Sequence, residues 1–201
     1  MIELAASFDA QLSNLAPYLI YLVVGAIVFF ETGVLFAFFL PGDSILFSAG
    51  LVAAAHGDVN IVILVTVIFI AAFLGDQVGF VIGRLVGRPY LDKHDSPRMQ
   101  KMIARSERFY EQTGWWAVVA ARFFPWIRTF VPPIAGASKM NYYKFLSANI
   151  LGALLWGVGI TLAGYYAASL PWVKTWSYAI AAFFITASLV SALVNYLRHR
   201  R

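Results

Sequence analysis

The chain has 201 residues, 61% of them hydrophobic and only 12% charged. A soluble domain is closer to half apolar and a quarter charged, so the composition excludes an ordinary globular protein and indicates one integral membrane domain, residues 1–201. The formal net charge is +5, but the basic residues stand in turns between apolar runs, which argues against nucleic acid; the absence of cysteine excludes disulfides and thiolate metal sites.

Residues 1–16 are mildly amphipathic and acidic, with Glu3 and Asp9. They read as a short surface helix, since a secretory signal needs a basic start. An apolar run over 18–40 carries Glu31 in its second half and is stopped by Pro41-Gly42. A second run, 44–55, is too short to cross a bilayer, which takes about 20 helical residues. After a polar turn at 56–60, residues 61–83 read as a full transmembrane helix. Gly75, Gly79, Gly83 and Gly87 recur every four residues, one face that another helix can approach closely. That face can dock inside the chain or against a second copy, so a homo-oligomer is possible. Asp76 stands beside it.

Residues 84–113 form the most polar segment. Ser96-Pro97 is a helix start, with Ser as cap and Pro at the first position. Met99, Met102, Ile103, Phe109 and Tyr110 then recur at helical spacing, while Arg98, Lys101, Arg105 and Arg108 take the other side. This predicts a cytoplasmic basic amphipathic helix lying on an anionic membrane surface, or an ordinary solvated linker helix.

The segment 115–136 places Arg122 and Arg128 among three prolines, Pro125, Pro132 and Pro133. A charged side chain at membrane depth costs roughly 2.5–3.5 kcal/mol on insertion scales and marks a transport path or a paired site. Proline lacks the backbone donor and clashes with the preceding turn. Broken backbone at membrane depth survives only beneath protein or beside a water-filled cavity. A small basic loop with Lys139 and Lys144 follows, then an apolar run at 145–170, a turn at Pro171 and a last span at 176–197. Trp156, Trp172 and Trp176 include candidate interface anchors.

The positive-inside rule puts residues 84–108 and the basic C-terminus in the cytoplasm. The last two spans go out and back, so 115–136 must cross an even number of times, most simply as a re-entrant hairpin. Residues 18–55, broken at Pro41-Gly42, read as the same device inverted, although 18–40 alone is long enough to span. The expected fold is all-α: an inverted pair of re-entrant helical hairpins, about three transmembrane helices and a cytoplasmic amphipathic helix. Many secondary transporters have this geometry.

Glu31, Asp43, Arg122 and Arg128 sit in or beside the two broken elements; Asp76 and Asn149 are secondary candidates. In an unbroken helix Arg122 and Arg128 would point about 120° apart, and a break at Pro125 or Pro132 lets them converge. Glu31 and Asp43 would lie about 18 Å apart on a straight helix, a distance the Pro41-Gly42 corner can shorten. Guanidinium suits phosphate, which it grips with two parallel hydrogen bonds. The plainer alternative is a pair of salt bridges fastening one hairpin to the other.

Five blocks carry a family resemblance: FETG at 30–33, FLPGDSILFSAG at 39–50, GDQVGFVIGRLVG at 75–87, ARFFPWIRTFVPPIAGASKM at 121–140 and NILGALLWG at 149–157. On these the chain resembles the DedA family of bacterial membrane proteins, related to the eukaryotic VTT-domain (SNARE-associated) lipid scramblases. The resemblance implies paired re-entrant hairpins and proton-linked lipid translocation. It further implies substrates such as undecaprenyl phosphate or phospholipid, a bacterial inner membrane, and functional roles for Glu31, Asp43, Arg122 and Arg128.

The expectation is therefore a membrane lipid transporter, with Arg122 and Arg128 holding a lipid phosphate and Glu31 and Asp43 exchanging protons. The alternative is a proton-coupled exporter of small solutes or cationic compounds. An enzyme is not expected: His56, His94 and His199 all lie away from the arginines, and no Ser–Gly–His phosphatase motif is present. No metal or other cofactor is expected either, because the His56-Gly57-Asp58 turn reads as solvated.

Overall fold

A computed structural model describes residues 2–33, 42–55, 57–93, 97–170 and 186. Pro41, His56, His94, Ser96, Trp172, Trp176, His199 and the expected span 176–197 apart from residue 186 lie outside the described residues. Regular structure among the described residues is entirely helical.

Two helical stretches, Ile61–Lys93 and Tyr142–Ala167, are long and apolar enough to cross a bilayer. The first comprises α3 (Ile61–Ile82), a π-helical turn (Gly83–Gly87) and α4 (Arg88–Lys93). The second comprises α9 (Tyr142–Ala153), a π turn (Leu154–Val158) and α10 (Gly159–Ala167). Each is opened by an asparagine whose side-chain oxygen accepts from two free backbone N–H groups, Asn60 from Val62 and Ile63, Asn141 from Tyr143 and Lys144. The first helix continues to Lys93 instead of ending at 83. Its wider π turn stands directly before Pro89, whose ring and missing N–H an α-turn would accommodate poorly.

The remaining helices are α1 (Ile2–Gly33), α2 (Gly42–Ala55), α5 (Pro97–Gln112), α6 (Gly114–Ala121), α7 (Pro125–Arg128) and α8 (Val131–Ala137). Helix α1 runs through Pro17, so the boundary expected between a surface segment and an apolar run is not a break in the backbone. The segment 115–136 is interrupted as expected, but its prolines start helices. Pro125 opens α7, while Pro132 and Pro133 sit in the first turn of α8, where a missing N–H costs nothing. At 1.5 Å per residue, α6 and α8 are each about 10–12 Å long, far short of a crossing.

The packing is crossed between the two halves. Helix α2 lies against α10, while α8 lies against α3 and its π turn. Each short helix therefore docks on the long helix of the other half. Glycines set both crossings. A methyl group on Gly50 would strike the Thr161 carbonyl and one on Gly164 the Phe47 carbonyl. Likewise a methyl on Gly136 would strike the Phe80 carbonyl and one on Gly83 the Pro133 carbonyl. In both pairs each glycine stands three residues after the carbonyl its partner meets, so one contact pattern is used twice. The face at Gly75, Gly79, Gly83 and Gly87 is thereby occupied inside the chain, by Thr32 and Gly33 of α1 and by Pro132, Pro133 and Ala137 of α8.

Two apolar clusters fill the interior. One joins α1, α2 and α3 around Val28, Leu46, Leu64 and Ile68; the other joins α3, α6, α8 and α9 around Phe80, Val118, Ala135 and Phe145. Large apolar side chains such as Leu22, Val62 and Leu85 remain on the outer surface, where a bilayer would cover them.

Candidate functional site

The ends of the broken elements converge on the middle of both long helices. Helix α1 runs alongside α3 in the same direction, with Gly25 against Val67 and Gly33 against Gly75. It therefore stops halfway along Ile61–Lys93. From the other half, the Arg122 Nη2 donates to the Ala72 carbonyl at 3.3 Å, and Pro132 packs on Gly79. On the second long helix the same level is occupied by Asn149, Gly152 and Trp156.

Arg122 caps the C-terminal end of α6 and is 2% exposed. Its Nη2 donates to Asp76 Oδ2 at 2.5 Å and to Asn149 Oδ1 at 2.5 Å. The Asn149 amide in turn donates to the Phe73 carbonyl at 3.1 Å, which fixes the orientation of its oxygen. A side chain on Gly152 would collide with the arginine stem, so the glycine makes room for it. Arg122 Nε and Nη1 are buried without a hydrogen-bond partner among the described residues.

Arg128 ends α7 and is 4% exposed. It is gripped by two carboxylates: Nη2 donates to Glu31 of α1, and Nη1 to Asp43 Oδ1 of α2 at 2.7 Å. The guanidinium lies 4.6 Å from the centre of the Trp156 ring, and the Trp156 Nε1 donates to the same Asp43 oxygen at 2.6 Å. A single residue thus ties α1, α2, α7 and the second long helix together. Gly42 admits the Glu31 carboxylate, which any Cβ there would displace. The Arg128 Nε has no hydrogen-bond partner among the described residues, and neither does the neighbouring buried Thr129 hydroxyl.

Of the residues expected to form one site, Glu31, Asp43 and Arg128 meet directly. Arg122 does not join them. It pairs with Asp76 and Asn149, the two secondary candidates, because the break at 122–124 points it toward α3 instead of toward α1. Trp156, one of the three tryptophans considered as interface anchors, is fully buried. It sits in the π turn of the second helix, where one extra residue per turn rotates the following side chains, and such turns recur at functional sites. Thr129 and Gly152 were not singled out; their proximity to the arginines depends on tertiary packing. Among the described residues no group of three His, Cys, Asp or Glu side chains could hold a metal ion.

The VTT domain model matches residues 40–166, which include Asp43, both arginines, Asp76, Asn149 and Trp156. The chain is 35% identical to the protein DedA of Escherichia coli over 206 aligned positions, covering 100% of this chain and 94% of that one. This chain is a DedA-family membrane protein. Other family relatives are uncharacterized membrane proteins of Mycobacterium leprae (42% identical, 84% of this chain and 75% of the relative) and Mycobacterium tuberculosis (43%, 86% and 76%). No solved structure matches. For this DedA-family chain, the matched region holds the arginine centre except Glu31, which lies ahead of it.

Proposed function

We propose that this protein moves a lipid phosphate, undecaprenyl phosphate or a phospholipid headgroup, between the leaflets of the bacterial inner membrane with proton coupling. Such a role would support maintenance of the cell envelope. The observation that carries the reading is the buried Arg128, whose Nε has no hydrogen-bond partner among the described residues and whose partner Asp43 keeps a 41% exposed side chain, held where helices break midway along the long helices. Buried polar groups in native proteins are nearly always satisfied, so unmet donors of this kind suit an anion that comes and goes.

On this reading α1–α2 and α6–α8 are re-entrant hairpins, inserted from opposite faces and meeting near mid-depth, with the C-terminus cytoplasmic. The headgroup phosphate engages Arg128 by displacing Asp43, while the tails stay in lipid. Charge balance then supplies the coupling. Glu31, Asp43 and Asp76 face Arg122 and Arg128, one carboxylate more than the guanidinium groups can neutralise. A proton on one carboxylate balances the cluster, and an arriving phosphate calls for another. Arg122, with a single buried acid partner and an amide, serves as the fixed positive charge behind the exchange. No catalytic step is assigned.

The test is reconstitution into liposomes with a panel of lipid phosphates and a small organic cation, under an imposed pH gradient. The expected result is translocation of a lipid phosphate that follows the gradient. Movement of the cation alone would favour a solute exporter and overturn the proposal.

A further inference from the structure

A polar cavity of about 750 Å³ opens at the far end of α8 from the arginine centre, among the residues that follow α8, the π turn at Gly83–Gly87 and α5. Its walls carry four cations, Arg84, Arg88, Lys139 and Lys144, and two carboxylates, Glu107 and Glu111. Arg88 is structural: it bridges Asp92 and Glu107 and donates to the Ala137 carbonyl at 3.4 Å, fastening α4, α5 and the end of α8. Arg84 leans over the Phe80 ring, 5.7 Å from its centre, and makes no ion pair among the described residues; neither do Lys139 and Lys144. Three cations therefore face the cavity with their charge unspent.

The backbone adds an independent sign. Lys139 has φ 55°, the left-handed conformation, which costs an L side chain about 1–2 kcal/mol. It occupies the position after α8 where Met140 N–H returns to the Ala135 carbonyl at 3.1 Å, a helix end that favours glycine. A lysine held there against its preference places an ammonium group at the lip of the cavity. Strain of this kind concentrates at ligand sites. Tyr143 of the cavity lining is exposed, as are Leu85 and Val86, which follow Arg84 in the chain; together they offer apolar surface for acyl chains. Burial pushes the Tyr110 hydroxyl up to about 12, so it remains neutral in the cavity wall.

The geometry points to this cavity as a second anion site, where Lys139, Lys144 and Arg84 hold the phosphate of a membrane lipid at one end of its passage. This inference rests on the lipid-phosphate reading above, but it concerns binding and can fail separately from transport.

The experiment titrates dioctanoyl phosphatidic acid into the full chain in a neutral detergent, in the Arg128→Lys background so that the buried centre contributes little. Lys139→Gly combined with Lys144→Gln should weaken binding about tenfold or more. The fold should survive, because glycine suits the position of Lys139. Removing the same number of cations outside the cavity, by Lys101→Gln and Arg105→Gln, should leave binding within about twofold, since exposed charges at a distance are screened. Unchanged binding in the cavity variant overturns the proposal, and so does an equal loss in the α5 variant. Inorganic phosphate that displaces the lipid at equal concentration also overturns it, by making the ligand a free anion. Failure of the wild type to translocate lipid would leave these binding results standing and would count against transport alone.

Discussion

Arg122 and Arg128 stand six residues apart, carry the same charge and are almost equally buried, yet their surroundings differ in kind. Arg122 meets one acid, Asp76, whose side chain is only 4% exposed, and an asparagine whose orientation is fixed from behind. Arg128 meets two acids, and one of them, Asp43, has a side chain 41% exposed. Burial of the cation alone therefore does not assign its role. The number and accessibility of its partners do. A fully buried pair is costly to break and holds parts in place. A pair with one half-exposed member can exchange that member for another anion at far lower cost.

The comparison is broken or sharpened most strongly at Arg122. Replacing it with leucine leaves Asp76 buried without its partner, and the expected loss of stability is about 3–5 kcal/mol, read as thermal unfolding in micelles. A variant as stable as the parent would remove the distinction between a locked and an exchangeable arginine. Asn149→Leu should cost about 1–3 kcal/mol in the same measurement, since it abandons Arg122 and the Phe73 carbonyl together. Trp156→Phe should cost about 1 kcal/mol: the hydrogen bond to Asp43 is lost while most of the ring beneath Arg128 remains. If Asn149→Leu had no effect and Trp156→Phe the larger one, the two sites would have to be interchanged.

Much of this arrangement was legible in the sequence. Charges in or beside the two broken apolar elements picked out Glu31, Asp43, Arg122 and Arg128, because a bilayer makes unpaired charge expensive wherever the chain folds. The glycine spacing over 75–87 correctly indicated a close helix contact. Partner choice was not legible. Whether Arg122 reaches Glu31 or Asp76 depends on the direction in which three residues leave α6, and no local pattern encodes that. The burial of Trp156 was not legible for a similar reason: tryptophan is common at membrane interfaces, and nothing local announces a π turn that carries it inward. The left-handed Lys139 was equally hidden, since the residue normally signalling that backbone is glycine.

The most direct test compares lipid-phosphate translocation by the wild type and Arg128→Lys in liposomes, with both proteins shown to be folded. Lysine preserves the charge but not the planar fork that can hold a carboxylate and a phosphate side by side. The account predicts that the wild type carries the lipid and that Arg128→Lys slows it about tenfold or more. Equal rates in the two proteins would contradict it.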